Sequence, residues 1–101
     1  MSLIQRLFGG GNSAAEVKEL IANGAILIDV RSAMEFKSGH VKGSKNIPLQ
    51  NIQNRLNEIQ KMNKKIILCC ASGNRSGQVE NYLKAQGVDC INGGGWRGLN
   101  G

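Results

Sequence analysis

Ile66-Ile67-Leu68-Cys69-Cys70-Ala71-Ser72-Gly73-Asn74-Arg75-Ser76 carries the chain from the most apolar short run of its C-terminal half into a loop of small residues. Beyond the loop, Val79, Tyr82 and Leu83 mark the apolar face of a helical pattern from Arg75 to Gln86, with Gly87 as its C-cap. A buried strand thus gives way to a helix, and a cysteine sits at the junction. Gly73 lets the backbone bend around a ligand, Ser72 and Ser76 offer hydroxyls, and Arg75 offers a cation. Loop N–H groups and a helix N-terminus then converge on one point, which makes a cradle for a small anion. A cysteine at its mouth is expected to be a thiolate at neutral pH. Cys70 is therefore the candidate nucleophile, with Arg75 as its catalytic partner. Ala71, Ser72, Gly73, Asn74 and Ser76 form the expected substrate cradle. Cys69, one residue back along the strand, points to the opposite face and reads as a structural cysteine.

Working outward, Ala25 to Val30 is a continuous apolar run broken only by Asp29, and it reads as a central parallel strand covered on both faces. Asp29 and Arg31 fall at its C-terminal end, where open α/β sheets place ligands. Arg31 is thus a further candidate for the pocket. Ser13 with Glu16 and Ser32 with Glu35 are two capping boxes, each opening a helix. Glu35 is near enough in sequence to pair with Arg31, and Asp29, Arg31 and Glu35 read mainly as braces for the active-site face. A short strand is expected around Ser44 to Ile47. A helix is expected from about Asn51, on the spacing of Ile52, Leu56 and Ile59. Val88 to Ile91 reads as the last strand, and Asn92 to Gly95 as a glycine-rich turn that folds Trp96 back, either into the core or onto the pocket wall. Alternating strands and helices predict a parallel sheet with helices on both faces and right-handed crossovers.

Composition narrows the function classes. A chain of 101 residues holds one core, here divided into an N-terminal segment (1–12) and a domain (13–101). Leu3, Ile4, Leu7 and Phe8 share one face of a short N-terminal turn expected to pack on the domain. No apolar run is long enough to span a membrane, and no signal-peptide pattern is present. Three cysteines without a pairing pattern argue against a disulfide framework and for a reducing, cytoplasmic setting. The net charge of +6 is spread along the chain without aromatic interleaving, which suits solubility and attraction of small anions rather than nucleic acid. Cys69, Cys70, Cys90 and His40 lack metal-ligand spacing, so no metal site is expected. His40, the only histidine, reads as a hydrogen-bonded structural residue.

The segment from Cys70 to Ser76 resembles the Cys-x-x-Gly-x-Arg-Ser active-site loop of rhodanese-like sulfurtransferases. Ile28-Asp29-Val30-Arg31 with Glu35-Phe36, Gly39-His40-Val41-Lys42-Gly43-Ser44, Asn46-Ile47-Pro48 and Gly94-Gly95-Trp96 are similar to further signatures of that family. The resemblance covers roughly Ser13 to Trp96. It implies the rhodanese-like three-layer α/β sandwich, with a small, mostly parallel sheet of about four or five strands. It also implies a small anionic sulfur donor such as thiosulfate, a Cys70 persulfide, and an acceptor that is cyanide in vitro and a thiol or protein cysteine in the cell. No cofactor is implied, and a monomer is expected. Two departures stand out: only Leu7-Phe8 offers the family's leading strand, and no helix follows the tryptophan. An open rim, suited to a protein acceptor, is the expected result. Two alternatives follow from the same residues. One is a low-turnover rhodanese-fold module for docking or sulfide sensing. The other is a small-anion phosphatase using the register Cys69-x5-Arg75-Ser76, whose loop is one residue longer. It lacks a histidine before the cysteine, because Leu68 stands there.

Overall fold

The computed structural model describes residues 13–100. The expected N-terminal turn and the strand candidate Leu7-Phe8 lie outside the described residues. Helix α1 (Ala14–Ala22) opens at Ser13, whose hydroxyl accepts the Glu16 N–H while the Glu16 carboxylate accepts the Ser13 N–H. Strand β1 (Ile26–Asp29) leads to α2 (Ala33–Ser38), which carries the second capping box, Ser32 with Glu35. Strand β2 is only Lys45–Asn46. Two 3-10 turns, Leu49–Asn51 and Gln53–Arg55, precede α3 (Leu56–Lys61). Strand β3 (Ile66–Cys70), helix α4 (Asn74–Ala85), strand β4 (Cys90–Gly95) and a final 3-10 turn (Trp96–Leu99) complete the chain. The sheet runs in the order β2-β1-β3-β4, with every pairing parallel. No helix among the described residues is long and apolar enough to cross a membrane.

The two-residue period of β3 sorts its side chains between two cores. Ile66, Leu68 and Cys70 join Ile28, Val30, Ile47, Ile59, Val79 and Leu83 on one side. Ile67 and Cys69 join Val17, Leu27, Trp96 and Leu99 on the other. All five residues of β3 are buried, as expected for the interior strand of a sheet covered on both faces.

Three expectations are corrected. The helix expected from Asn51 begins as two 3-10 turns and becomes α-helical only at Leu56, a distinction that the spacing of Ile52, Leu56 and Ile59 does not carry. The expected strand around Ser44 to Ile47 shrinks to Lys45–Asn46. Asn92 to Gly95 is not a turn but the last four residues of β4. Glycine reads as a turn signal in sequence, but here it allows close packing. A Cβ at Gly93 would lie 2.9 Å from Ile67 Cγ2, and one at Gly95 would lie 2.8 Å from the Ala71 carbonyl oxygen. Gly94, at φ +86°, sits where the β3–β4 register shifts beside Leu68 and Cys69.

Candidate active site

Cys70 is the last residue of β3, and α4 begins four residues later. Gly73 makes the turn between them at φ +99°, a left-handed conformation that favours glycine. A Cβ there would make only ordinary contact with the Gly94 backbone, at 3.4 Å, so the backbone conformation sets the demand for glycine. The turn brings three donors onto Cys70 Sγ: the Gly73 N–H at 3.0 Å, the Ser76 N–H at 3.5 Å and the Ser76 hydroxyl at 3.3 Å. Burial pushes the Cys70 thiol up, but the Ser76 hydroxyl and the N–H groups of Ser76, Gly73 and Ser72 outweigh it, so the thiol is more acidic than usual. The other two cysteines behave oppositely. Burial pushes Cys69 up to about 12 and Cys90 up to about 11. All three are free thiols, and only Cys70 has the surroundings of a nucleophile.

The remaining loop residues take distinct parts. Ala71 contributes backbone only, its carbonyl abutting Gly95. The Ser72 hydroxyl accepts the Asn74 N–H at 3.4 Å, which supports the first turn of α4. Arg75 turns away from Sγ: its Nη1 and Nη2 donate to the Glu35 carboxylate at 2.7 and 3.0 Å. This corrects the expected pairing of Glu35 with Arg31, which takes only the Glu35 carbonyl oxygen, at 3.2 Å. The Arg75 guanidinium holds the Glu35 carboxyl down at about 2, helped by the Ser32 N–H. Arg75 thus clamps α2 to the loop. The hydrogen bonds from Ser76, Gly73 and Ser72 are the largest contributors to the acidity of Cys70, and the Arg75 charge interacts with it more weakly.

Arg31 and Trp96 fall outside the cradle. Arg31 is 3% exposed, and its Nε and Nη2 engage the fully buried Asp29 carboxylate while Nη2 also donates to the Gly39 carbonyl at 2.7 Å. Its guanidinium stacks on the Trp96 ring, 4.6 Å from the centroid, with Arg97 at 5.0 Å. Trp96 belongs to the core on the Cys69 side. Both residues brace the fold beneath the site instead of lining it, because these partners already occupy the guanidinium. His40 donates from Nδ1 to the Phe36 carbonyl at 2.7 Å and stacks on the Phe36 ring. Sequence reasoning missed Asn92, whose side chain contacts Gly73, Ser76 and Gly94. Its place amid glycines hid it as a turn residue. A cavity of about 460 Å³ near Gln60, Lys64 and Asp89 lies at the N-terminal end of β3 and β4, opposite Cys70.

A parallel α/β sheet that ends one interior strand on a donor-ringed cysteine, at the N-terminus of the next helix, defines a class of thiol-centred anion sites. The rhodanese-like domain family matches residues 13–100, and the chain belongs to that family. Among curated relatives, an uncharacterized protein of Bacillus subtilis, YqhL, is 43% identical over 63 residues, covering 62% of this chain and 49% of that protein. The thiosulfate sulfurtransferase GlpE of Ectopseudomonas mendocina is 29% identical over 75 residues, covering 74% of this chain and 68% of GlpE. Among solved structures, the reduced CoADR-RHD of Bacillus anthracis superposes with a TM-score of 0.79 at 35% identity, covering 88% of this chain and 16% of that one. The chain therefore matches about half of the first relative and a small part of the third.

Proposed function

We propose that this protein is a sulfurtransferase that moves sulfane sulfur from thiosulfate or a persulfide donor to a thiophilic acceptor through a Cys70 persulfide. One observation carries the reading: Cys70 Sγ receives the Gly73 N–H, the Ser76 N–H and the Ser76 hydroxyl. Membership of the rhodanese family supports sulfur transfer as the chemistry. The Cys70 thiolate attacks the outer sulfur of thiosulfate. The S–S bond of the donor breaks, and sulfite leaves with its electron pair. The outer sulfur now bears the negative charge on Cys70 and lies toward the loop N–H groups, which stabilise it. A nucleophilic acceptor, such as cyanide, a thiol or a protein cysteine, then attacks that outer sulfur and Cys70 leaves as the thiolate. Donor and acceptor alternate, so kinetics are ping-pong. The protein is expected to act as a monomer. Three unpaired thiols suit a reducing, cytoplasmic setting.

The phosphatase register fares poorly on geometry. Cys69 is fully buried on the other face of the sheet and pushed up to about 12, so it is not an available thiolate. The low-turnover module draws support from the full burial of Cys70, since access to Sγ requires the loop to yield. Thiocyanate formation from thiosulfate and cyanide separates these readings. Wild type and Cys69→Ala are expected to turn over, and Cys70→Ser is expected to be inert. Activity in Cys70→Ser would sink the assignment. A single sulfur loaded without turnover would favour the module.

A further inference from the structure

Asn92 is fixed from two directions. Its backbone N–H donates to Glu80 Oε2 at 3.1 Å, and Lys84 Nζ holds the same carboxylate at 3.1 Å, so β4 is tied to α4 at this point. Its side chain has only one orientation. Oδ1 accepts the Gly94 N–H at 2.9 Å, and Nδ2 donates to the Gly73 carbonyl at 3.0 Å. Oδ1 has no proton to give, so the Ser76 hydroxyl, 2.7 Å away, bonds to it only as a donor. The same hydroxyl lies 3.3 Å from Cys70 Sγ. It has one proton, and two acceptors compete for it.

The winner depends on the charge of Sγ. With Cys70 as a thiol, S–H points to Ser76 Oγ, and the Ser76 proton goes to Asn92 Oδ1. With Cys70 as a thiolate, the proton turns to Sγ, because a charged acceptor is the stronger one. Once Sγ carries an outer sulfur, the negative charge has moved outward and the proton returns to Asn92.

We propose that Asn92 is a positioning residue for Cys70, holding the Ser76 hydroxyl proton while Sγ is uncharged and yielding it to the thiolate. Its catalytic meaning rests on Cys70 being the sulfur-carrying nucleophile, whereas the competition for the proton does not. Asn92 therefore weighs against the free thiolate and in favour of the loaded state, which helps sulfur stay on Cys70 between half-reactions. Three ion pairs lie on the elements around the site, Arg75 with Glu35, Arg31 with Asp29, and Lys84 with Glu80, while Arg97 lies over the Trp96 ring. None of these pairs is removed by substituting Asn92 or Ser76.

The test is a pH titration of the ultraviolet thiolate absorbance in wild type, Asn92→Ala, Ser76→Ala and the double variant, with Cys70→Ser as the blank. Cys69 and Cys90 ionise only at about 12 and about 11, well clear of Cys70. Losing Asn92 removes a competing acceptor only when Ser76 is present. Relative to its effect in the Ser76→Ala background, Asn92→Ala is expected to raise the Cys70 ionisation constant about three- to tenfold when Ser76 is intact, the size of one neutral hydrogen bond. The same shift in both backgrounds would overturn the proposal, because Asn92 would then act through the Gly73 carbonyl alone. Should Asn92→Ala not fold, Asn92→Asp keeps the shape and the acceptor. Its carboxylate grips the proton harder, so its coupling to Ser76 is expected with the opposite sign, and zero coupling there is equally fatal. Failure of thiosulfate to load wild-type Cys70 would remove the sulfur-transfer reading and leave this coupling measurable.

Discussion

Replacing Gly95 with alanine presses a methyl group on the loop that holds Cys70. Gly95 has φ −74° and ψ 137°, an ordinary extended conformation, so alanine meets no backbone strain there. By restricting the unfolded chain, alanine favours folding by about 0.4–1 kcal/mol. Against this, the new Cβ would stand 2.8 Å from the Ala71 carbonyl oxygen and 3.7 Å from its carbon. Neither atom belongs to a flexible side chain, so backbone must shift, and overpacking of this kind costs about 1–3 kcal/mol. Sterics win, for a net loss of about 1–2 kcal/mol, which for a domain of this size lowers Tm by roughly 4–15 °C. The displaced residue adjoins Cys70, so the thiol should also become less acidic as the Gly73 and Ser76 donors move off Sγ. Gly98→Ala is the control, since a Cβ there meets nothing within 4 Å. It is expected to be neutral or slightly stabilising. Thermal unfolding by circular dichroism, paired with the thiolate titration, reads both effects. Stabilisation by Gly95→Ala equal to that of Gly98→Ala would refute the reasoning that β4 is glycine because it packs against the loop.

Three further outcomes follow from the same geometry. Arg31→Ala leaves the Asp29 carboxylate buried without its ion-pair partner and is expected to cost about 3–5 kcal/mol in urea unfolding; a loss below ~1 kcal/mol would contradict the bracing role. Glu35→Gln keeps the cap on Ser32 but breaks the charge pair with Arg75, and with both side chains more than a third exposed the loss is about 0.2–1 kcal/mol at neutral pH. The carboxyl is held at about 2, below its ordinary value of 4.5, so its contribution is complete above 4.5 and is lost as pH falls from there through 2. Stability curves of wild type and Glu35→Gln should therefore converge on acidification, and curves that stay parallel down to about 2 would refute the pairing. Ser76→Ala removes the hydroxyl from Sγ and should lower the Cys70 ionisation constant about tenfold, seen as a shift of the ascending, acid-side limb of sulfite release to higher pH; an unshifted limb would leave the N–H groups as the whole cradle.

Local patterns made much of the fold legible. The continuous apolar runs around Ile28 and Leu68 marked interior parallel strands, and both capping boxes sit where the serine–glutamate spacing put them. The alternation of β3 also separated Cys69 from Cys70, as a period of two requires. What the sequence hid depends on distance. Glu35 and Arg75 are 40 residues apart, so the nearer Arg31 looked like the partner until the folded chain brought α2 beside the loop. Asn92 and its glycines carried a turn signal, yet their small size serves the close approach of β4 to Ile67 and Ala71. The two 3-10 turns before α3 kept the apolar spacing of a helix, and periodicity alone does not separate the two.

Intact-mass analysis after thiosulfate treatment, followed by cyanide, tests the central claim most directly. One added sulfur atom is expected, mapped to Cys70, absent in Cys70→Ser and removed by cyanide with formation of thiocyanate. An unmodified Cys70, or a sulfur adduct carried by Cys69 or Cys90, would contradict it.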